Sequence, residues 1–206
     1  MASPDRPSPF SGLWDDQAAT YDARTAWLER RFLGPPRAEV CGAAVGDVLE
    51  LGVGTGANLP HYPADVTLTA LDFSAAMLAQ AERRAGSLGL PQQTVLAEAG
   101  TLPFAAASFD TVVATYLLCS ASSVDQTLGE IWRVLRPGGR VLLADHVEPG
   151  NRVLRAGARW LERRTATRYG EHFTRRPLLH LEAAGFTVVS SQRRGFIERV
   201  HAERLG

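Results

Sequence analysis

The stretch VLELGVGTGA, residues 48–57, carries an acid, Glu50, at the end of an apolar strand, then three glycines at alternate positions, then the opening of a helix. Glycine is needed where a backbone turns sharply or lets a ligand approach, so Gly52, Gly54 and Gly56 describe a loop built to receive a guest. Working outward, apolar runs that read as buried strands recur at Asp47 to Leu51, Val66 to Leu71, Gln93 to Ala97, Asp110 to Thr115 and Arg140 to Ala144. Helical patterns separate them. Ser74 to Leu88 opens on a serine cap, and Ser123 to Leu135 stops at Pro137-Gly138-Gly139. Such alternation predicts an α/β fold, a parallel sheet covered by helices on both faces. Trp14 to Phe32 reads as an additional amphipathic helix (a cap over 13–33). Asn151 to Arg168 reads as a helical, arginine-rich piece and Pro177 to Ala184 as another helix. Phe186 to Ser190 and Phe196 to Ala202 read as strands that the Gln192 to Gly195 link would join into an antiparallel hairpin.

Composition narrows the guest. With 206 residues and 45% hydrophobic content the chain can bury one sizeable core and is most simply one domain. Acidic and basic residues balance at 22 each, which gives no electrostatic case for nucleic acid as a partner. Every Lys+Arg position is arginine, so the lysine of a phosphate-gripping hydrolase loop and the Schiff-base lysine of a pyridoxal enzyme are both missing. Residues 1–12 are rich in proline and serine, have no apolar run of signal-peptide type, and read as a flexible tail. No stretch has the length of a membrane span. Cys41 and Cys119 stand far apart, which fits a reduced, cytoplasmic protein rather than a disulfide scaffold.

In an open parallel sheet the ligand sits beyond the carboxyl ends of the strands. Gly52, Gly54 and Ala57 satisfy the G-x-G-x-x-A spacing of a dinucleotide site, so an NAD(P)-dependent oxidoreductase is one reading. Glu50 favours another, because a carboxylate there repels a pyrophosphate and attracts an ammonium group. Asp72 ends the second strand, 22 residues after Glu50, where it can accept hydrogen bonds from both ribose hydroxyls or, alternatively, cap a helix before Ser74. Glu98, ending the third strand, can reach an adenine amino group or stand as a surface acid.

ELGVGTG, LTALDFSAAML, AEAGTLPFAAASFDTVVATYLLCS and VLRPGGRVLLADH occur in the order and at about the spacing of the class I methyltransferases that use S-adenosylmethionine, and from Trp14 onward the chain resembles that family. The resemblance implies a Rossmann-like, seven-stranded, mostly parallel sheet with an antiparallel last strand. It implies that Glu50, the loop Gly52, Gly54 and Gly56, and Asn58 hold the methionine part and that Asp72 holds the ribose. Phe73 and Met77 would cover the adenine face, Glu98 and Ala99 its edge, and Thr115 and Tyr116 would line the methyl side. Glu98 stands where the family more usually has aspartate. Tyr21-Asp22 resembles the tyrosine-aspartate pair of a helix folded over the cofactor carboxylate, or is simply a buried aromatic. LLCS, ADHV and EHFTRRPLLHLEAAGF are most similar to thiol S-methyltransferases and bacterial phosphatidylethanolamine N-methyltransferases. Those subfamilies imply a small-molecule acceptor, with thiol S-methylation slightly favoured over oxygen, nitrogen or carbon. Phospholipid N-methylation and a non-catalytic S-adenosylmethionine-binding protein remain alternatives.

A sulfonium methyl is already activated, so alignment should dominate catalysis and a base is optional. His146, following the fifth strand, is the candidate base, against a structural histidine. His172, in the 145–180 insert on the substrate side, is a candidate for substrate binding. His61 beside Tyr62 reads as packing under the first helix. No metal constellation is apparent, and Cys119 reads as a small buried residue. Arg152, Arg155, Arg159 and Arg163 recur at helical spacing, a stripe able to meet an anionic substrate or lipid headgroups peripherally, or else a solvated face. Oligomeric state is not encoded in any of these patterns.

Overall fold

The computed structural model describes residues 11–28, 30–31, 34–90, 92–148, 151, 155, 157, 162 and 177–206. Its elements are α1 (Ser11–Leu28), α2 (Gly34–Cys41), β1 (Asp47–Leu51), β2 (Thr67–Asp72), α3 (Ala75–Leu88), β3 (Gln93–Leu96), β4 (Phe109–Thr115), α4 (Val124–Val134), β5 (Leu135–His146), α5 (Pro177–Ala183), β6 (Thr187–Arg194) and β7 (Ile197–Glu203). The strands form one seven-stranded sheet in the order β3-β2-β1-β4-β5-β7-β6. Neighbours are parallel from β3 to β5, and β7 runs antiparallel to both β5 and β6. The expected Rossmann-like sheet with its antiparallel last strand is therefore the observed one.

Consecutive strand residues send their side chains to opposite faces, and both faces are apolar. Leu49, Val112 and Leu143 join a core with Leu128, Ile131 and Leu181 of α4 and α5. Val48, Val113 and Leu142 join a second core with Val40 of α2 and Leu78, Ala81 and Ala85 of α3. Such two-sided burial is what makes the central strands continuous apolar runs in sequence.

The caps explain the helix limits. Ser74 accepts from the Met77 amide at 3.1 Å and Gly89 ends α3 in the left-handed conformation at φ 65°. Ser123 accepts from the Gln126 amide at the start of α4. α4 ends at Val134, one residue earlier than expected, and Leu135 opens β5 directly after it, five residues before the expected Arg140, so that Pro137-Gly138-Gly139 lies within the strand beside a register shift opposite Phe109 and Thr111. The hairpin turns at Gly195-Phe196, since β6 continues through Arg194 where a link had been expected.

The N-terminal region departs from expectation. Ser11 and Gly12 are helical rather than tail. The helix from Trp14 ends at Leu28, and the separate α2, unforeseen, follows. α1 is not the amphipathic element its pattern suggested: Ala18 is its one buried side chain among those described, and Trp27 is 61% exposed. Polar contacts hold it instead. Asp15 accepts from Ser74 Oγ and from the Ala76 amide at the start of α3, and Asp22 pairs with Arg84. The piece expected over Asn151 to Arg168 lies outside the described residues save for 151, 155, 157 and 162, and Arg152, Arg159 and Arg163 are among those outside. Among the described residues no helix is long and apolar enough to cross a membrane.

Leu128 is fully buried between α4 and the sheet. Leu128→Ala should cost about 2–5 kcal/mol in urea unfolding. Leu96→Ala, at a side chain 60% exposed, should stay within about 0.5 kcal/mol. Equal effects would contradict this packing.

Candidate functional site

β1 has β2 on one side and β4 on the other, so the chain reverses its winding between β1 and β4 and opens a crevice at their carboxyl ends. The glycine loop turns there. Gly54 sits at φ +55° and donates its amide to Asp72 Oδ2 at 2.8 Å. Gly56 sits at φ +80°, where a Cβ would come within 3.1 Å of the Ala81 backbone on α3. The first needs the left-handed conformation and the second also needs the room.

Asp72, 5% exposed, also accepts from the Ser74 amide at 2.9 Å, so one carboxylate ties the loop after β1 to the start of α3. The helix-cap function belongs to Ser74. Burial raises the Asp72 pKa, opposed by these amide hydrogen bonds and reinforced by the charge of Glu98.

One cavity is lined by Gly52, Gly54, Asp72, Phe73, Met77, Thr115 and Tyr116, with Trp14 and Tyr21 of α1 and Arg37 of α2 also contributing. Eight of the expected positions thus share a wall, counting Tyr21. Glu50, Gly56, Asn58, Glu98, Ala99 and His146 are outside that lining. His172 lies outside the described residues.

Glu50 differs most from expectation. It is fully buried behind the cavity, where Oε1 accepts from Asn58 Nδ2 at 2.8 Å and Oε2 has no hydrogen-bond partner among the described residues. Burial pushes its pKa up to about 7, against the polar contacts of Asn58 and Tyr62 and the charge of Arg37. Tyr62 and Cys41 lie beside it, and burial raises both of their pKa values. The cavity is faced instead by Arg37. Its Nη1 donates to Asn58 Oδ1 at 3.0 Å and to Thr115 Oγ1 at 2.7 Å, and its guanidinium lies 4.6 Å from the centre of the Tyr116 ring. A buried arginine and a buried glutamate are thus joined through one amide. Arg37 escaped the sequence reading because α2 itself did, being a short segment with two prolines.

Asp22 was expected as half of a cofactor motif. Its carboxylate accepts from Thr55 Oγ1 at 2.6 Å, which fixes α1 to the glycine loop while Tyr21 beside it faces the cavity. Tyr116 carries φ +55°, a left-handed conformation unusual for an aromatic residue, and its ring lies 5.1 Å from that of His146. His146 ends β5 with its pKa lowered by burial, so the imidazole is held toward the neutral form. His61 belongs to a 3-10 turn, Leu59–His61, that packs against α2 and α3. Cys119 is buried as expected, but it belongs to a cluster where no metal constellation was expected: its sulfur and the side chains of Asp145 and His146 offer donor atoms within 4.8 Å of one another. Cys119 and Asp145 are 26 apart in sequence, and the β4–β5 pairing brings them together.

The Glu50 pKa fixes a sign. Its carboxyl titrates near 4.5 when exposed and near 7 when folded, so between these values the folded state binds more protons. The associated stability is complete below pH 4.5 and is lost as pH rises through 7. Relative to Glu50→Gln, the wild type should lose stability over that interval in urea titrations. A pH-independent difference would contradict the burial of an ionisable carboxyl here.

A methyltransferase domain model matches residues 49–143. Phosphatidylethanolamine N-methyltransferase of Cereibacter sphaeroides is 41% identical over 49% of this chain and 51% of its own. Thiol S-methyltransferase TMT1A of Homo sapiens is 37% identical over 67% of this chain and 55% of its own. The chain therefore spans about half the length of these two relatives. Demethylmenaquinone methyltransferase of Thermobifida fusca is 30% identical over 76% of this chain and 72% of its own. Among solved structures, a SAM-dependent methyltransferase from Aquifex aeolicus superposes with a TM-score of 0.67 at 18% identity, covering 93% of this chain and 98% of that one. The likeness to that structure concerns the fold, and the domain match with the Thermobifida relative carries the assignment. The chain belongs to the class I S-adenosylmethionine-dependent methyltransferases.

Proposed function

We propose that the protein transfers a methyl group from S-adenosylmethionine to a small-molecule acceptor. The observation that carries this reading is the cavity that the glycine loop, Asp72 and Arg37 line together. Asp72 takes the ribose hydroxyls on the lone pairs left by its two amide donors, and Phe73 and Met77 cover the adenine, with Glu98 and Ala99 toward its edge. Arg37, with Thr115 beside it, takes the methionine carboxylate by a charge-assisted hydrogen bond. Glu50 and Asn58 act from behind: Asn58 bridges the buried glutamate to Arg37, and Glu50 supplies the opposite charge. Gly52, Gly54 and Gly56 bring the backbone close to the ligand, and Trp14 and Tyr21 close the cavity from α1.

Tyr116 then stands on the methyl side, with His146 next to it. Holding nucleophile, methyl carbon and sulfonium sulfur in line supplies on the order of 7–11 kcal/mol. A positioned base adds about 10²–10⁴-fold, which makes geometry the larger contribution. His146, held neutral, can receive the proton of an amine or carbon acid. A thiol needs less help, being about a few per cent thiolate at neutral pH, and is the acceptor we favour. The match to the Cereibacter enzyme supports phospholipid N-methylation as a second reading.

Turnover of methyl-labelled cofactor against a panel of thiols, amines, phenols and phospholipids tests the assignment; label entering thiols fastest is the expected result, and label entering none of them refutes it. Two substitutions test the cofactor pose by calorimetry. Asp72→Ala should weaken both S-adenosylhomocysteine and methylthioadenosine by at least about tenfold, since each charge-assisted bond is worth roughly 1.5–3 kcal/mol. Arg37→Met should weaken only S-adenosylhomocysteine, because methylthioadenosine has no carboxylate. Equal loss of both ligands in Arg37→Met would exclude the carboxylate role.

A further inference from the structure

We infer that Cys119, Asp145 and His146 form a three-ligand site for a thiophilic divalent cation, zinc above all, beside the acceptor end of the cavity. One donor atom from each residue lies within 4.8 Å of the others. Thiolate, imidazole and carboxylate are the donor types zinc takes, and three protein ligands with a fourth position open is the arrangement of catalytic rather than structural zinc.

The surroundings hold these donors in place. Asp145 Oδ2 accepts from the Cys119 amide at 3.2 Å and Oδ1 from the His146 amide at 2.7 Å, which fixes the carboxylate between the other two ligands. Such outer contacts orient metal ligands. Charge provides an independent argument. Asp145 is 1% exposed, and the basic side chain in ion-pair reach of it among the described residues is His146, at 3.9 Å. A cation held beside a carboxylate removed from water offsets the cost of its burial. A dication bound to one thiolate, one carboxylate and a neutral imidazole gives a site of zero net charge.

Position gives the site its use. Tyr116, Leu117 and Ser120, on either side of Cys119, line the cavity. An incoming thiol would fill the fourth position, displacing water and releasing its proton to solvent. The bound thiolate sulfur then attacks the methyl carbon. The new carbon–sulfur bond forms as the methyl–sulfonium bond breaks, its electron pair going to the sulfur of S-adenosylhomocysteine, and the thioether product, a weaker ligand, departs. His146 then serves as a ligand and the metal takes over removal of the acceptor proton. This use rests on the thiol reading above, whereas the site itself does not.

The test uses the full chain stripped with dipicolinate and titrated with Co²⁺ as a spectroscopic probe. One equivalent should produce sulfur-to-cobalt charge-transfer absorption in the near ultraviolet and strong visible bands of a four-coordinate ion. C119S should abolish the near-ultraviolet band, and D145N and H146Q should retain it while weakening binding by more than about tenfold. S-adenosylhomocysteine affinity of C119S, unchanged by calorimetry, would show that the variant is folded. A wild-type titration without the charge-transfer band, or C119S binding Co²⁺ as tightly as wild type, overturns the site. Loss of thiol turnover on chelation and its return with Zn²⁺ supports the catalytic use, and thiol turnover undiminished by chelation overturns it. A cysteine-dependent cobalt spectrum in a protein that methylates no thiol upholds the site and removes the thiol reading alone.

Discussion

The Asp72 carboxylate is the tie on which the rest of the site depends. Its two oxygens accept from Gly54 in the loop after β1 and from Ser74 at the mouth of α3, so the two segments that bound the cavity cannot move independently. Ser74 in turn holds the Met77 amide and donates to Asp15 of α1. The helix over the cavity, the loop beneath it and the helix beside it therefore share one chain of hydrogen bonds. Burial of the acid works against its ionisation, and the amide donors supply the compensation. The result is a carboxylate fixed before any ligand arrives.

A second constraint operates behind the wall. Placing Glu50 at zero exposure leaves a carboxyl whose charge is answered through Asn58 by Arg37. Arg37 also lies over the Tyr116 ring, and that ring lies beside His146, so the α2 cation links Asn58 and Thr115 to the aromatic pair at the end of β4 and β5. The left-handed backbone of Tyr116 is the local cost of aiming the ring there.

The sheet was legible because its central strands are buried on both faces and so appear as uninterrupted apolar runs, Leu49 and Val48 serving opposite cores. The loop and Asp72 were legible for a related reason: positive φ demands glycine, and an acid at a strand end invites a role. What eluded the sequence is what depends on tertiary contact. α2 is short and proline-bearing, so Arg37 carried no pattern. α1 buries little, and its attachment through Asp15 and Asp22 has no periodic signature. Glu50 reads as a loop-facing acid until the register of β1 against β2 and β4 turns it inward. Cys119 and His146 meet only because β4 and β5 are neighbours.

The central claim is that this cavity receives S-adenosylmethionine and not a nicotinamide dinucleotide, and a thermal unfolding comparison of ligands tests it most directly. S-adenosylhomocysteine at about a hundred times its Kd should add roughly 2.7 kcal/mol. For a chain of this size that raises the Tm by about 5–10 °C. NAD and NADP at the same concentration should leave the transition where it was. Protection by either dinucleotide, with none from S-adenosylhomocysteine, would contradict the account.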